Sequence, residues 1–319
     1  MYKQITSNKR KSIALMFGFI FFYAGLGFVA SLWVGNAAIF IAIGVAVMMV
    51  IFNLYMGDDL VVLVSGARQL TRKEEAPELW RMVENLAITS GLPMPRLYVI
   101  QDASPNAFAA GRNPKQAIVC CTTGLLERLD EEELEGVLAH EMSHVRNYDV
   151  RLMTWAAVLA GSIALLADIL LRMLFFSDNR GSNPLVLVAV IVSAILAPIA
   201  AILIQMAISR KREFVADASG AELTRYPQGL ASALETIAAD QEPSPKLANN
   251  AIAHLMISPA LKRKGNVSKM FSTHPPTEER VARLMEMAGG VPHQHESQTE
   301  GRAYAGLNLA EPADTAPIA

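Results

Sequence analysis

The chain has 319 residues, 52% of them apolar and only 18% charged, against about 25% charged in ordinary soluble domains. Its 28 basic and 30 acidic residues nearly cancel to a net charge of −2, so there is no global basic surface to hold nucleic acid. The two cysteines are the neighbours Cys120 and Cys121, which excludes a disulfide framework and a zinc ribbon.

The apolar excess is concentrated in four runs. Ser12–Val34 and Ala37–Met56 carry no charge and are parted by Gly35-Asn36. Met153–Phe176 carries only Asp168 and Arg172, four apart and able to pair on one helix face. Leu185–Ile208 is uncharged and contains Pro198, a kink site. Each run reaches the roughly 20 residues that a helix needs to cross a bilayer. The first is too long for a signal peptide, lacks a small-x-small cleavage site and leads at once into the second. The third has an alternative reading, a hairpin lying partly against protein. Outside the runs, charge returns to an ordinary soluble share.

Basic residues set the orientation. Lys3, Lys9, Arg10 and Lys11 precede the first run, and Arg68, Arg72 and Lys73 follow the second. Arg146 and Arg151 precede the third, and Arg210, Lys211 and Arg212 follow the fourth. Both termini and the charged segments are therefore expected in the cytosol. The expected organisation is a membrane hairpin over 1–56, a cytosolic piece over 57–151, a second hairpin over 152–209, a second cytosolic piece over 210–290 and a disordered tail over 291–319.

In the first cytosolic piece, Pro77 and Gly91 bound an amphipathic helix, PELWRMVENLAITS. Arg96–Ile100, Asn106–Gly111 and Ala117–Thr122 read as strands of a small sheet of three to four strands, with a turn at Asn113-Pro114. Cys120 and Cys121 then point to opposite faces as packing residues. Asp130 with Glu133 is a capping-box start, and the helix is expected to run on through Asp149 towards the third run. In the second piece, RKREFVADASGAELTR is expected to continue the fourth run as helix. Further helices follow Pro227 and Pro276, and Gly289-Gly290 ends the last. The fold class is α+β, mainly helical.

His140-Glu141-Met142-Ser143-His144 is the sharpest chemical signal. Histidines at i and i+4 share a helix face and can hold one Zn²⁺, with Glu141 beside them as general base towards water. A catalytic zinc takes a third protein ligand. Glu213 is the candidate, with Asp217 one turn on to fix a ligand histidine's tautomer. On spacing alone such a pair is more often a solvated charged face.

The segments HEMSHVRNYD, EFVAD, SPNAFAAGRNPKQAIVCCTTGLL and STHPPTEER together resemble the HtpX group of membrane zinc metalloproteases, relatives of the CAAX prenyl protease. The similarity spans roughly residues 10–290, in the same order and with four hydrophobic runs. The resemblance implies a zincin-like metalloprotease domain, His140, His144 and Glu213 as ligands of one Zn²⁺, Glu141 as general base and Asp217 as the partner of a ligand histidine. It also implies a multi-pass protein of the bacterial cytoplasmic membrane whose substrates are polypeptides, among them misfolded membrane proteins. The alternatives are a specific processing protease of the prenyl-protease kind and a non-catalytic zinc-stabilised scaffold. The intact Glu141 speaks against the scaffold, since a structural site needs no base.

Three further segments follow from this reading. Asn106, Ala107, Phe108 and Ala109 resemble an edge strand to which an extended substrate could add, or else form a plain structural strand. His274 is either a hydrogen-bond donor to the oxyanion or a helix-entry residue, with Arg280 bracing its segment. His254, His293 and His295 are read as non-ligands. Because the zinc helices are expected to extend from the last two membrane helices, the histidines should stand roughly 10–16 Å from Arg151 along the axis, close to the lipid.

Overall fold

The computed structural model describes residues 2–175, 209–239, 255–257 and 275–290. The fourth apolar run, the tail, His254, His274, His293 and His295 lie outside the described residues.

Helices α1 (Tyr2–Val34) and α2 (Ala37–Ser65) pair as a hairpin, turned at Gly35, whose φ is +88°. On α1 Asn8, Ser12, Leu15, Phe19, Tyr23 and Gly27 are buried, a stripe at helical spacing. Phe17, Phe21, Phe28 and Leu32 of α1 stay exposed, as do Phe40, Ile41 and Met48 of α2, a surface suited to lipid. Helix α2 continues nine residues past its apolar run, and its end docks on the protein. Buried Asp58 pairs with Arg96 (2.6 Å) and Arg112 (3.1 Å).

Strands β1 (Arg68–Leu70), β2 (Arg96–Ile100), β3 (Ala107–Ala110) and β4 (Ile118–Thr122) form a mixed sheet in the order β1-β2-β4-β3. β2 and β4 run parallel, and the outer pairs are antiparallel. β1 is a strand that the sequence reading did not single out, and β3 is an edge. Helix α3 (Pro77–Ser90) begins at a proline and stops at Gly91 in the left-handed region, φ +69°, as its end signals predict.

The two sheet faces have different partners. Leu97, Val99, Ala107, Ala109, Val119 and Cys121 share an apolar layer with α3 and with helix α5 (Glu131–Arg146), which follows the short α4 (Thr123–Arg128). Tyr98, Ile100, Phe108, Ile118 and Cys120 pack against α1, α2 and helix α6 (Asp149–Phe175). Strand alternation thus sends adjacent cysteines into two separate cores. Burial pushes both thiols up, and with the Glu141 carboxylate nearby Cys121 reaches about 12. Both remain neutral packing groups.

Among the described residues, three helices are long and apolar enough to cross a membrane, over Ile5–Leu32, Ala37–Ser65 and Asp149–Asp168. The third differs from the others. Its apolar window is 56% buried within the protein, against 22% and 17%, because α6 lies between the α1–α2 hairpin and the sheet. The expected Asp168–Arg172 pair is present at 2.6 Å.

Two expected continuities are broken. The helix starting at Asp130 does not run on into the third apolar run. It ends at Arg146, and α6 begins afresh at Asp149. Tyr148 between them sits at φ +59°, a left-handed conformation that cannot propagate a right-handed helix. Helix α7 (Arg210–Thr224) likewise does not extend the preceding run, since Ser209 is extended at φ −152°, ψ 113°. The axial distances expected from continuous helices therefore do not apply. Helices α8 (Pro227–Ala239) and α9 (Thr277–Met287) complete the described fold and pack on each other.

Candidate active site

The site is built where α5 crosses α7. The N-terminus of α5 carries the expected capping box. Glu133 N–H donates to Asp130 Oδ1 (2.9 Å) and Asp130 N–H to Glu133 Oε2 (3.0 Å). The second Glu133 oxygen accepts from Ser232 on α8 at 2.6 Å, so the cap also joins two helices. One turn of α7 approaches closely because it carries no side chain. A Cβ on Gly220 would stand 3.0 Å from His140 N and 3.2 Å from its Cα. This contact brings Glu213, two turns earlier on α7, over the histidine face.

His140, His144 and Glu213 converge, all three buried. The two Nε2 atoms are 3.2 Å apart. Glu213 Oε1 lies 3.5 Å from His144 Nε2 and Oε2 lies 3.9 Å from His140 Nε2. Donors about 2.0–2.1 Å from a tetrahedral centre stand roughly 3.3 Å from one another, so this set has the chemistry and the spacing for Zn²⁺. Glu141 is on the same helix, 3% exposed, with a carboxylate close enough to act on His144 and Arg280.

Each histidine is held from behind by a carboxylate. Asp217 Oδ1 lies 2.9 Å from His140 Nδ1, the partnership expected for Asp217. Asp149 Oδ2 lies 3.1 Å from His144 Nδ1. Both Nδ1 atoms thus face acceptors while both Nε2 atoms face the shared centre, the arrangement that fixes a ligand tautomer. Burial would lower the pKa of His144, but the Asp149 hydrogen bond and the charges of Glu213, Asp149 and Glu141 outweigh it and raise it to about 9. Burial would likewise raise Asp217, yet the Arg280 charge and the bonds to His140 and Arg280 hold it below its usual range.

Sequence reasoning missed Asp149 and the contact that Arg280 makes with Asp217. Asp149 stands five residues after His144 inside HEMSHVRNYD, and a polar residue at the head of an apolar run was the available signal. The His274 segment that Arg280 is expected to brace lies outside the described residues. The Arg280 guanidinium is buried at Asp217, with Nη2 also 3.4 Å from His140 Nδ1. The Asn106–Ala109 segment lies where α5 meets the sheet edge. Asn106 precedes β3 and its Oδ1 accepts from Ala107 N–H, while its carbonyl accepts from Thr122. Ala107 C=O faces away from β4 and accepts from Ile257 N–H at 3.0 Å. His274 lies outside the described residues.

A buried donor set of two histidines and a glutamate, with a further glutamate beside them, in a chain with three helices apolar enough to cross a membrane among the described residues, is that of a membrane-bound metallopeptidase. The family model described as Peptidase family M48 matches residues 73–288, and the chain belongs to that family. It is 46% identical over 289 residues to a Protease HtpX homolog of Tropheryma whipplei, covering 90% of this chain and 98% of the relative. It is 42% identical over 299 residues to a Protease HtpX homolog of Streptococcus gordonii, covering 90% and 100%. A third, from Dictyoglomus turgidum, is 46% identical over 291 residues, covering 90% and 94%. The crystal structure of S. mikatae Ste24p aligns with a TM-score of 0.47 and 18% identity, over 89% of this chain and 67% of that one. The protein is a membrane-bound M48 metalloendopeptidase.

Proposed function

We propose that the chain is a zinc endopeptidase that hydrolyses misfolded or damaged membrane proteins at the cytosolic face of the bacterial inner membrane. His140, His144 and Glu213 hold one Zn²⁺, Glu141 is the general base, and Asp217 fixes His140. The observation that carries this reading is the convergence of three donors from two separate chain segments, with both histidines oriented by carboxylates. A purely structural zinc would be closed by a fourth protein ligand, and among the described residues the cluster holds three.

Bound there, Zn²⁺ supplies a Lewis acid that acidifies water and polarises a scissile carbonyl. Glu141 accepts the proton as water attacks and delivers it to the leaving amine. Asp217 and Asp149 keep the imidazoles in the tautomer that directs Nε2 inward. Arg280 holds Asp217 ionised. His274 donates to the oxyanion. An extended substrate pairs with the β3 edge, where by alternation the main-chain groups of Ala109 face the same way as those of Ala107.

The HExxH helix packed on a mixed sheet with an edge strand supports a zincin-like domain over 57–151 and 210–290. The apolar run over 185–208 supplies a fourth span, and the basic flanks support cytosolic termini and a cytosolic site. The test is purification in detergent with chelator present, then metal analysis and cleavage of casein or a model membrane protein. One zinc per chain and cleavage that returns when Zn²⁺ is restored are expected. Full cleavage by the metal-free chain would overturn the proposal.

A further inference from the structure

We infer that Asn8, on the N-terminal membrane helix, is a positioning residue of the metal centre, acting through Asp149 on His144. The inference rests on the reading that His144 is a metal ligand and adds a part that this reading does not contain.

Asn8 is 2% exposed, although it lies in a basic stretch whose neighbours Arg10 and Lys11 are exposed. Its amide nitrogen has two protons, and each has a partner. One bond goes to Asn147 C=O at 3.0 Å and the other to Asp149 Oδ1 at 2.6 Å. The second oxygen of Asp149 is the one at His144 Nδ1. Asp149 is wholly buried, and Arg212 on α7 approaches the Asn8-facing oxygen at 3.6 Å. The carboxylate is therefore held on one side by α1 and α7 and spends its other side on the histidine. Asn8 orients Asp149, and Asp149 orients the imidazole.

A second contact acts on the same elbow. Asn147 and Tyr148 join α5 to α6, and Tyr148 is in the left-handed region at φ +59°. A bulky residue there is strained and persists where its surroundings hold it. Lys9 Nζ sits 4.3 Å above the Tyr148 ring, so consecutive residues of α1 hold consecutive parts of the elbow. The membrane anchor and the metal centre thereby share a hydrogen-bond chain from Asn8 to His144. A merely anchoring asparagine would contribute to stability and leave metal affinity unchanged.

The experiment uses the full chain in detergent. Zn²⁺ affinity is measured by competition with a chromophoric chelator, and site geometry by the visible absorption of the Co²⁺-loaded protein. Asn8→Leu removes both donors while keeping the branched side-chain shape. Asn8→Ala, a good helix former, is carried in parallel in case leucine prevents folding. The expected result is a loss of Zn²⁺ affinity of about tenfold or more, altered Co²⁺ bands, and wild-type values for Lys11→Ala on the exposed face of α1. The loss should not add to that of Asp149→Asn. Wild-type affinity and unchanged Co²⁺ bands in both Asn8 variants would overturn the inference, and if Glu213→Ala meanwhile loses metal, the reading of the ligand set survives. If Glu213→Ala binds as wild type, the ligand set itself is wrong and the inference falls with it.

Discussion

Arg280 grips Asp217 at two points, Nη2 to Oδ1 at 2.6 Å and Nε to Oδ2 at 2.9 Å, and the same Oδ1 lies 2.9 Å from His140 Nδ1. A cation from α9, near the end of the matched family region, thus stabilises the carboxylate that orients a histidine on α5. Both partners are buried. Removing one end of such a pair leaves an uncompensated charge and costs about 3–5 kcal/mol.

Arg280→Met should therefore lower the thermal midpoint of the metal-free protein sharply, and Arg280→Lys should restore little, because lysine lacks the planar fork. The folded-state pKa of Asp217 is depressed. Its stabilising contribution is accordingly present above the unfolded carboxyl value near pH 4 and lost as pH falls through the folded one. Acid unfolding of Arg280→Met, followed by circular dichroism, should begin at higher pH than in the wild type.

Glu141→Gln keeps the shape of the side chain and removes its capacity to take a proton. Peptide cleavage should drop by about 10²–10⁴-fold, with Zn²⁺ stoichiometry and affinity at wild-type levels, since Glu141 is outside the converging donor set. Turnover measured on the zinc-loaded variant checks both halves, and an active variant would remove Glu141 from the mechanism.

Glu213→Ala leaves two histidines at the centre. Metal affinity should fall by more than the ~10–100-fold typical of a lost outer partner, giving substoichiometric zinc after dialysis. Asp217→Asn, which keeps the ligands and weakens only the support of His140, should fall within that range. Metal analysis of the two variants side by side separates ligand from support.

Metal uptake should depend on pH through His144. In the metal-free site its pKa stands near 9, so at pH 7 the ring carries a proton that the metal must displace. Affinity should rise about tenfold per pH unit from pH 7 towards 9 and then level, with close to one proton released from this ring per metal at pH 7. Calorimetry in buffers of different ionisation enthalpy measures that proton. The raised pKa also means that the charged His144–Asp149 pair stabilises the metal-free fold fully below about pH 6.5, a contribution lost as pH rises through about 9. Asp149→Asn should flatten both dependences.

Much of the fold was legible because the signals were local. The runs of apolar residues, the proline and glycine that bound α3, the Asp130–Glu133 cap and the alternation of β4 each depend on neighbours within a few positions. The His140–His144 face was legible for the same reason, as helical spacing alone puts those rings together. Glu213 was identified as a candidate, but its spacing to Asp217 was equally that of a solvated face, and only the resemblance raised it. Asp149 was hidden because its partner, His144, lies across a helix break that no glycine or proline announces. Tyr148 adopts a left-handed turn where the sequence pattern reads as continuous helix.

The sequence by itself determined the membrane hairpin, the histidine pair with Glu141 between them and the strands beside them, since helix and strand periodicity are properties of consecutive residues. Tertiary structure decided which distant groups complete the centre. Glu213 meets the histidines because Gly220 lets α7 lie against α5, and Arg280 reaches Asp217 from the far end of the domain. Asn8 reaches Asp149 because the first membrane helix packs against the elbow between α5 and α6. These partners are 63 and 141 residues apart in the two hydrogen-bonded pairs. Burial forces such pairings, because a carboxylate or amide withdrawn from water must find its complement in whichever segment the fold brings alongside.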